Sequence, residues 1–480
     1  MTHIPTHKIL IGGEWRSTKE SHDLYDPSTG DVLAHIALAD AGDVDAAVKA
    51  AQAALDGEWG ALTALARGRI LARIGRAVEK QTERLATLEA QDVGKPYTQA
   101  LADAKALARY LEFYAGAADK IHGETIPYLA GYTVYTLREP FGVTGHIIPW
   151  NYPMQMIGRS VVAALAMGNA TVLKPAEDAC LTAIAFGEIT QEAGLPAGAL
   201  NIVTGLGEVS GDALSRHPGV NHISFTGSVG VGGKVQQAAA EHSIPVTLEL
   251  GGKSPQIVFD DADIDKALPF LINASIQNAG QTCSAGSRIL AHKDIYDTLL
   301  ERLAGQFKAL RVGPALSDLN VGPLVSAKQK AIVDGFRARA EADGLTLVAE
   351  GQIVSDAPKG GYYTTPTLWA NVPTGHEMAQ KEIFGPAQVI IPFESEQEAI
   401  EIANGTDFGL VAGVWTKDGA RQMRLAKALK VGQVFVNNYG AGGGVELPFG
   451  GMNQSGHGRE KGLEGLYSFS TVKTIAVLHE

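Results

Sequence analysis

Apolar residues recur at helical spacing in the first hundred positions of the chain. This period, set in a surface rich in Arg, Glu and Lys, predicts amphipathic helices. Asp43 precedes the run 44–55 and can accept hydrogen bonds from its first turn, so we expect a helix capped at that residue. The chain is therefore predicted to open with a helical layer. The apolar residues at this spacing include Ile70, Ile74, Val78 and Leu85.

From residue 143 the pattern changes to short β-rich apolar runs that alternate with helical stretches. Strands separated by helices of about 10 to 15 residues predict βαβ units around a parallel sheet. A second series of the same character follows, so we expect two α/β lobes. The predicted strands are 143–149, 171–175, 200–204, 222–226 and 246–250 in the first series, and 288–292, 388–392, 413–416 and 433–436 in the second.

Two further segments, 132–138 and 467–478, alternate between apolar and polar residues like exposed antiparallel strands. An uncovered sheet edge invites pairing with another chain. We interpret these segments as an arm that joins subunits, with a simple edge hairpin as the alternative.

The ends of the first-series strands are where chemistry is expected, because ligands bind beyond the carboxyl ends of parallel strands. One such end opens the glycine-rich segment 227–234, which fails the Walker phosphate-loop pattern because Ser228 and Val235 stand where glycine and Ser or Thr are required. What remains is a strand, a glycine-rich turn and a helix whose free amides could hold a pyrophosphate. The four strand ends in question lie at Trp150, Lys174, Gly227 and Gly251.

Composition excludes several classes of protein. Fifty-two acidic and 40 basic side chains give a net charge of −12, the wrong sign for nucleic acid as a main partner. The start of the chain has no basic region leading into an apolar run, and the uncharged stretch 140–158 contains three prolines, so neither a leader nor a membrane span is expected. Two cysteines form no disulfide framework, and no His and Cys cluster has zinc spacing. We expect a cytoplasmic protein without a metal site.

Cys283 and Glu249 are the candidates for chemistry. Cys283 has small and polar neighbours from 280 to 288, and composition alone leaves the nucleophile and structural readings equally open, whereas Cys180 lies among Ala and Leu and is expected in the core. A thiol needs help from its neighbours to ionise at neutral pH. Glu249 is a lone carboxylate at the end of an apolar strand, either paired structurally or raised in pKa for general-base work.

Seven ordered motifs resemble the aldehyde dehydrogenases that use a nicotinamide cofactor, over essentially the whole chain. The resemblance implies an α/β fold with a Rossmann-type cofactor lobe (1–121 and 141–251), an α/β catalytic lobe (252–454) and a small antiparallel oligomerisation arm (122–140 and 455–480) that joins dimers or tetramers. The motifs are Pro149-Trp150-Asn151-Tyr152-Pro153, Leu173-Lys174-Pro175-Ala176-Glu177, Phe225-Thr226-Gly227-Ser228, Leu248-Glu249-Leu250-Gly251-Gly252, Gly280-Gln281-Thr282-Cys283, Glu382-Ile383-Phe384-Gly385-Pro386 and Pro448-Phe449-Gly450-Gly451.

The resemblance also implies a mechanism. The thiolate of Cys283 attacks the aldehyde, and the side-chain amide of Asn151 and the backbone amide of Cys283 hold the alkoxide. Hydride passes to the nicotinamide and leaves a thioester, and Glu249 activates the water that releases the acid.

Cofactor contacts are implied in the same way. Lys174 and Glu177 match positions that hold the adenosine ribose, and the Glu177 carboxylate would repel a 2′-phosphate, so we expect NAD, with NADP as the alternative. Ser228 matches the pyrophosphate contact, Glu382 the nicotinamide ribose and Phe384 the nicotinamide surroundings. The complete set of implied cofactor residues is Pro149, Trp150, Lys174, Glu177, Gly227, Ser228, Glu382 and Phe384.

Two departures from the family bear on the substrate. Arg159 stands where an apolar or aromatic residue commonly faces the substrate tunnel, and Ser160 stands where lysine is usual. Asn151, Gln155 and Arg159 share one helix face, so Arg159 either lines the tunnel and favours a carboxylate-bearing aldehyde or replaces the structural charge of the missing lysine. The glycine-rich segment 438–446 leaves room for a bulky or aromatic aldehyde.

Three other functions compete with this interpretation. Members of the family that transfer the acyl group to coenzyme A generally lack a glutamate at the position of Glu249. A thiol hydrolase would pair Cys283 with a histidine, but no papain-like or caspase-like context surrounds it. An inactive binding protein would be expected to lose Cys283, Glu249 or Asn151, and all three are present.

Overall fold

The computed structural model describes residues 4–440 and 444–479. Helices pack against its two large sheets. The α-helices in this part of the chain are α1 (Ala41–Asp56), α2 (Ala64–Glu79), α3 (Thr82–Val93), α4 (Tyr97–Ala117), α5 (Pro153–Met156), α6 (Val162–Met167), α7 (Leu181–Glu192), α8 (Asp212–Ser215), α9 (Val229–Ala240), α10 (Ile264–Ile276), α11 (Tyr296–Ala309), α12 (Ala327–Ala342), α13 (Glu377–Gln380), α14 (Glu396–Asn404), α15 (Gly419–Ala428) and α16 (Gly462–Ser468).

The strands form two large sheets and several small ones. In chain order they are β1 (Thr6–His7), β2 (Ile9–Ile11), β3 (Glu14–Arg16), β4 (Glu20–Tyr25), β5 (Val32–Leu38), β6 (Thr125–Ile126), β7 (Tyr132–Pro140), β8 (Val143–Ile148), β9 (Ala170–Pro175), β10 (Leu200–Ile202), β11 (His222–Thr226), β12 (Val246–Glu249), β13 (Pro255–Val258), β14 (Arg288–His292), β15 (Arg311–Val312), β16 (Thr346–Glu350), β17 (Gln352–Ile353), β18 (Thr367–Ala370), β19 (Ala387–Phe393), β20 (Phe408–Gly409), β21 (Val411–Trp415), β22 (Gln433–Val436), β23 (Met452–Asn453), β24 (Gly456–His457) and β25 (Ser470–Leu478).

The two predicted α/β lobes are confirmed. One sheet has eight strands in the order β24-β12-β11-β8-β9-β10-β2-β3, and its five inner strands from β12 to β10 are parallel. The other has seven strands in the order β16-β18-β19-β14-β13-β21-β22, and all but β16 run parallel. Separate hydrophobic cores pack against the two sheets. The residue limits assigned to the domains stay a prediction.

The carboxyl ends of β9, β8, β11 and β12 lie side by side in the first sheet. Every residue of β8 and β9 is buried, which is typical of parallel strands covered by helices on both faces. Backbone groups that follow these ends therefore converge on one edge of the sheet, as the sequence predicts.

The opening of the chain differs from the prediction. Five strands, β1 to β5, precede α1, so the expectation of an all-helical start is wrong for residues 6–38. These strands are two to seven residues long, too short for a clear period in the sequence. The cap of α1 is Asp40 rather than Asp43: the Asp40 carboxylate accepts from the Asp43 N–H, and Asp43 completes a capping box by accepting from the Asp40 N–H. The four predicted apolar residues are buried but lie on two helices, α2 and α3.

The predicted antiparallel arm is a three-stranded sheet in the order β25-β7-β6. Strands β7 and β25 pair over nine residues, from Tyr132 opposite Leu478 to Pro140 opposite Ser470. The predicted strand 467–478 starts too early, because Tyr467 and Ser468 end helix α16, which the buried Leu466 anchors in the first core. None of the helices in the described ranges is both long and apolar enough to span a bilayer.

Candidate active site

Two cavities meet at Cys283. The larger, about 290 Å³, lies beyond the carboxyl ends of β8, β11 and β12, and the smaller, about 60 Å³, lies against the start of helix α5. The larger cavity brings together all of the predicted catalytic and cofactor residues except Lys174 and Glu177. Those it collects are Pro149, Trp150, Asn151, Gly227, Ser228, Glu249, Cys283, Glu382 and Phe384.

Cys283 lies in the loop between helix α10 and strand β14. Burial raises the pKa of its thiol to about 12, although the guanidinium of Arg159 acts in the opposite direction. The resting side chain is therefore a protonated thiol that must pass its proton to a base before it attacks. Cys180 is fully buried in a small apolar cluster, and its predicted place in the core is confirmed.

Glu249 is the last residue of β12, and its side chain is buried. Neither carboxylate oxygen has a hydrogen-bond partner within the described ranges, so the structurally paired alternative finds no support. Burial and the nearby carboxylate of Glu460 raise the pKa of Glu249 well above its usual value. Gly450 leaves room for this carboxylate, because a Cβ there would lie 2.7 Å from Oε1. An unpaired buried carboxylate in a cavity is suited to proton transfer.

Asn151 ties the end of β8 to the loop that carries the cysteine. Its Nδ2 donates to the Gln281 carbonyl at 2.9 Å, and the Asn278 side chain donates to the Asn151 carbonyl at 2.9 Å. An amide nitrogen carries two hydrogens, so one N–H of Asn151 remains for a ligand in the cavity.

The turn after β11 has the features of an anion site. Ser228 precedes α9, and its side chain makes no capping hydrogen bond to that helix. Ser228 lines the larger cavity, so the first turn of this 12-residue helix begins at the edge of that cavity. A pyrophosphate fits this donor set.

Glu382 and Phe384 form the opposite wall. Glu382 Oε1 accepts from the Gly252 N–H at 3.0 Å, and a Cβ on Gly251 would lie 2.2 Å from Oε2, so only glycine admits the carboxylate. Burial raises the pKa of Glu382 to about 7. Phe384 holds a left-handed φ of 56°, a strained backbone for a bulky residue, and its ring meets Trp150 edge-on with 5.3 Å between centroids.

Lys174 and Glu177 lie outside the cavity, at the end of β9. Lys174 Nζ bonds Glu177 Oε2 at 2.8 Å. Burial would raise the pKa of Glu177, but the Lys174 ammonium and its hydrogen bond outweigh burial and hold that pKa below its usual value. Glu177 is therefore ionised at neutral pH.

Arg159 has features of both roles that the sequence left open. It lines the smaller cavity, as a tunnel residue would, and it forms an ion pair with Glu460, as a structural charge would. Its Nε lies 2.8 Å from Glu460 Oε2, and its guanidinium carbon lies 4.2 Å from the centroid of the Phe449 ring. Burial lowers the pKa of Arg159, but Glu460, Tyr110, Glu249 and Cys283 together outweigh burial and raise it. Gly440 lines the same cavity, whereas residues 441–443 of the predicted wide mouth lie outside the described residues.

Several residues of the site carry no motif that the sequence analysis recognised. Gln329 of α12 lines the larger cavity and donates to the Phe384 carbonyl at 2.9 Å. Glu460 reaches Arg159 from the segment before α16, and Asn273 and Gln277 line the smaller cavity from the end of α10. Tertiary packing alone brings these residues to the site. Among the residues described, no group of three or more His, Cys, Asp or Glu is arranged to hold a metal ion.

Comparisons with known proteins extend over almost the whole chain. The family model described as Aldehyde dehydrogenase family matches residues 15–475. Aldehyde dehydrogenase family 2 member B4, mitochondrial, from Arabidopsis thaliana is 44% identical over 474 residues, 98% of this chain and 87% of that protein. A Burkholderia cenocepacia crystal structure, assigned by its name to the aldehyde dehydrogenases, is 60% identical, with a TM-score of 0.98 over 98% of this chain and 100% of that one. An aldehyde dehydrogenase of Bacillus cereus solved with NAD⁺ is 39% identical, with a TM-score of 0.96 over 99% of this chain and 97% of that one.

Proposed function

Because the chain belongs to the aldehyde dehydrogenase family and is an NAD-dependent oxidoreductase, we propose that it oxidises its aldehyde through a covalent thioester on Cys283. Glu249 then activates the water that hydrolyses the thioester. The observation that carries this proposal is that the thiol of Cys283 and the unpaired carboxylate of Glu249 line one cavity. That cavity also adjoins the anion-binding turn at Ser228.

The larger cavity suits NAD. Ser228 and the first-turn amides of α9 would hold the pyrophosphate, and Glu382 would accept from the nicotinamide ribose. Lys174 and the ionised Glu177 would bind the adenosine ribose hydroxyls. Bound NAD supplies the acceptor for the hydride that the aldehyde carbon loses.

The first bond forms between Cys283 Sγ and the aldehyde carbon. The thiol gives up its proton, for which the raised pKa of Glu249 makes that carboxylate a better acceptor than an ordinary one. The aldehyde oxygen becomes an alkoxide, and the second N–H of Asn151 is available to donate to it. One such donor is typically worth about 10² to 10³ in rate.

The second half-reaction frees the product. Once the carbon bonded to Sγ has lost its hydride, a thioester remains on Cys283. Glu249 first releases the thiol proton to solvent and then takes a proton from water. The water oxygen attacks the thioester carbon, the carbon–sulfur bond breaks, and the proton passes from Glu249 to the sulfur, which gives the carboxylic acid and the thiol. Hydrolysis rather than acyl transfer to coenzyme A is favoured because Glu249 is present and unpaired.

We propose an aromatic aldehyde as the substrate. The smaller cavity is lined by the rings of Tyr152, Tyr439 and Phe449, with the amides of Gln277 and Asn273 beside them for an oxygen substituent. A carboxylate-bearing aldehyde is the second candidate, because Arg159 Nη2 is buried without a hydrogen-bond partner in the described structure. Glu460 offsets the charge of Arg159, which favours the first candidate. The cytoplasmic location stays a prediction.

We also propose that the arm joins two or four copies of the chain. Strand β25 is the outer strand of its sheet and pairs only with β7 among the described strands. Its exposed apolar residues include Val472 and Leu478. A nine-residue exposed edge that carries such apolar side chains is suited to pairing with a second copy.

Absorbance of reduced nicotinamide tests the proposal. The wild-type protein, offered NAD with aromatic, carboxylated and aliphatic aldehydes, is expected to turn over the aromatic ones best. Cys283→Ala should abolish turnover, whereas Cys180→Ala, the matched cysteine in the core, should retain it. Full activity of Cys283→Ala would refute the covalent mechanism.

A further inference from the structure

Two tyrosine hydroxyls bind the residues on either side of Cys283. The hydroxyl of Tyr152 lies 3.0 Å from Thr282 Oγ1. The hydroxyl of Tyr439 donates to the carbonyl oxygen of Ser284 at 2.5 Å. Tyr152 comes from the turn before α5 and Tyr439 from the segment after β22, so the two lobes hold the nucleophile between them.

Both hydroxyls act as donors. The Thr282 hydroxyl donates to the Gln277 carbonyl at 3.4 Å, which leaves its oxygen to accept from Tyr152. Burial raises the pKa of both Tyr152 and Tyr439, so each keeps its proton over the working range of the enzyme. Each contact is therefore a fixed, directional hydrogen bond to the cysteine loop.

Tyr152 rests on a buried cation. Lys95 Nζ lies 3.8 Å from the centroid of the Tyr152 ring. The same ammonium bonds Glu89 Oε1 at 2.5 Å and also bonds Asp103, and all three side chains are buried. A desolvated ammonium over an aromatic face attracts the ring, and the two carboxylates fix the ammonium in place. The helical layer of α3 and α4 thereby fixes the ring of Tyr152.

The same ion cluster orients a residue of the smaller cavity. The second oxygen of Asp103 accepts from Gln155 Nε2 at 2.5 Å. One N–H of the Gln155 amide is thus committed to Asp103, and its second N–H and its oxygen remain. Tyr152 and Gln155 are held by one buried group of three charges, although none of the three lines the cavity.

We propose that Tyr152 and Tyr439 are positioning residues that hold the Cys283 thiol in the orientation from which it attacks. This inference rests on the proposed role of Cys283 as the nucleophile. A loop held only by its backbone would let the thiol sample other rotamers, and a displacement of about 1 Å at a reacting atom can cost about 10²-fold in rate.

The test uses three substitutions that each remove one hydroxyl. Tyr152→Phe keeps the ring over Lys95, and Tyr439→Phe keeps the cavity wall. Tyr363→Phe is the matched control, because its buried hydroxyl donates to the Ser28 carbonyl at 2.6 Å and it lines neither cavity. Each variant is assayed for kcat, for KM of NAD, for melting temperature and for the rate at which iodoacetamide alkylates Cys283.

Alkylation needs no aldehyde, so a hydroxyl that only contacts the substrate leaves that rate unchanged. We expect Tyr152→Phe and Tyr439→Phe to lose about tenfold in both kcat and the alkylation rate, with KM for NAD unchanged. Tyr363→Phe should keep both rates within about twofold. Wild-type alkylation rates in the two site variants, or an equal loss in Tyr363→Phe, would overturn the inference. An active Cys283→Ala would instead overturn the proposed function.

Discussion

Arg159 and Glu460 form a buried ion pair at the wall of the smaller cavity, with 2.8 Å between Nε and Oε2. The guanidinium stacks on Phe449, which lines the same cavity. The Arg159 guanidinium therefore has two roles. It links the cavity wall to the segment before α16 through Glu460, and its Nη2 is available to bind a substrate. Substitution of Arg159 should therefore affect both stability and specificity.

Arg159→Ala should lower the free energy of unfolding by roughly 3–5 kcal/mol, because it leaves the Glu460 carboxylate buried without its partner. Arg159→Lys, which keeps the charge, should lose less. Thermal unfolding checks this. The kcat/KM of Arg159→Ala is then measured with benzaldehyde and 4-carboxybenzaldehyde. An equal loss of kcat/KM on both supports an aromatic aldehyde as the substrate, and a loss confined to 4-carboxybenzaldehyde supports a carboxylate-bearing aldehyde.

Activity should rise with pH across the neutral and alkaline range. Burial raises the pKa of both Cys283 and Glu249, so the deprotonated, reactive form of each grows over a higher pH range than that of an ordinary thiol or carboxylate. The pH profile of kcat/KM, measured alongside the rate of Cys283 alkylation, checks this. An alkylation rate that is flat or falls between pH 6 and pH 10 would contradict the assignment of a protonated resting thiol.

Glu177→Ser should shift the cofactor preference towards NADP. The ionised carboxylate repels a 2′-phosphate, and its removal also frees the Lys174 ammonium, now 2.8 Å from Glu177, to meet that phosphate. We expect kcat/KM for NADP to rise about tenfold and that for NAD to fall, a change of about 1.4 kcal/mol for each factor of ten. Glu192→Gln, an exposed carboxylate on α7, is the control and should leave the ratio unchanged. An unchanged ratio in Glu177→Ser would remove Glu177 from the ribose site.

Charge on the outer face of β25 should dissociate the oligomer. Val472 and Leu478 are exposed and share one face of the strand. The double variant Val472→Glu/Leu478→Glu is expected to run as a monomer in light scattering after size exclusion, because like charges and lost apolar contact oppose edge pairing. Leu316→Glu, an exposed leucine outside the arm, should keep the wild-type mass. A wild-type protein that is already monomeric would refute the arm as a joining element.

The sequence predicted the strands and helices in which residues that favour one type of secondary structure are followed directly by a turn. Strand β11 has the predicted limits His222–Thr226, because Ile223, Phe225 and Thr226 favour a strand and the glycine-rich turn follows directly. Strands β1 to β5 were missed, since they are only two to seven residues long and their burial follows no common alternation. The cap of α1 was misplaced by three residues because Asp40 and Asp43 are both capping residues in a reciprocal pair.

The parts of the site that the sequence predicted lie in motifs at strand ends. Cys283, Glu249 and Asn151 converge because parallel strands and the cysteine loop meet at one sheet edge. The sequence did not predict the residues that contact the site from distant segments, which are Glu460, Gln329 and Tyr439. A local pattern of polar and apolar residues does not indicate which distant side chains come into contact in the folded protein.

In the proposed mechanism, water activated by Glu249 hydrolyses a thioester on Cys283. Trapping that thioester is the most direct test of this mechanism. Glu249→Gln keeps the shape of the side chain and removes the base. At alkaline pH, where part of Cys283 ionises to solvent without Glu249, hydrolysis should slow by about 10² to 10⁴ while one equivalent of reduced nicotinamide still forms in a burst. Mass spectrometry of the rapidly quenched variant, after mixing with NAD and a reactive aromatic aldehyde, should then find the acyl mass on the peptide that contains Cys283. A burst with no acyl mass on that peptide, or with the mass on another residue, would contradict the account.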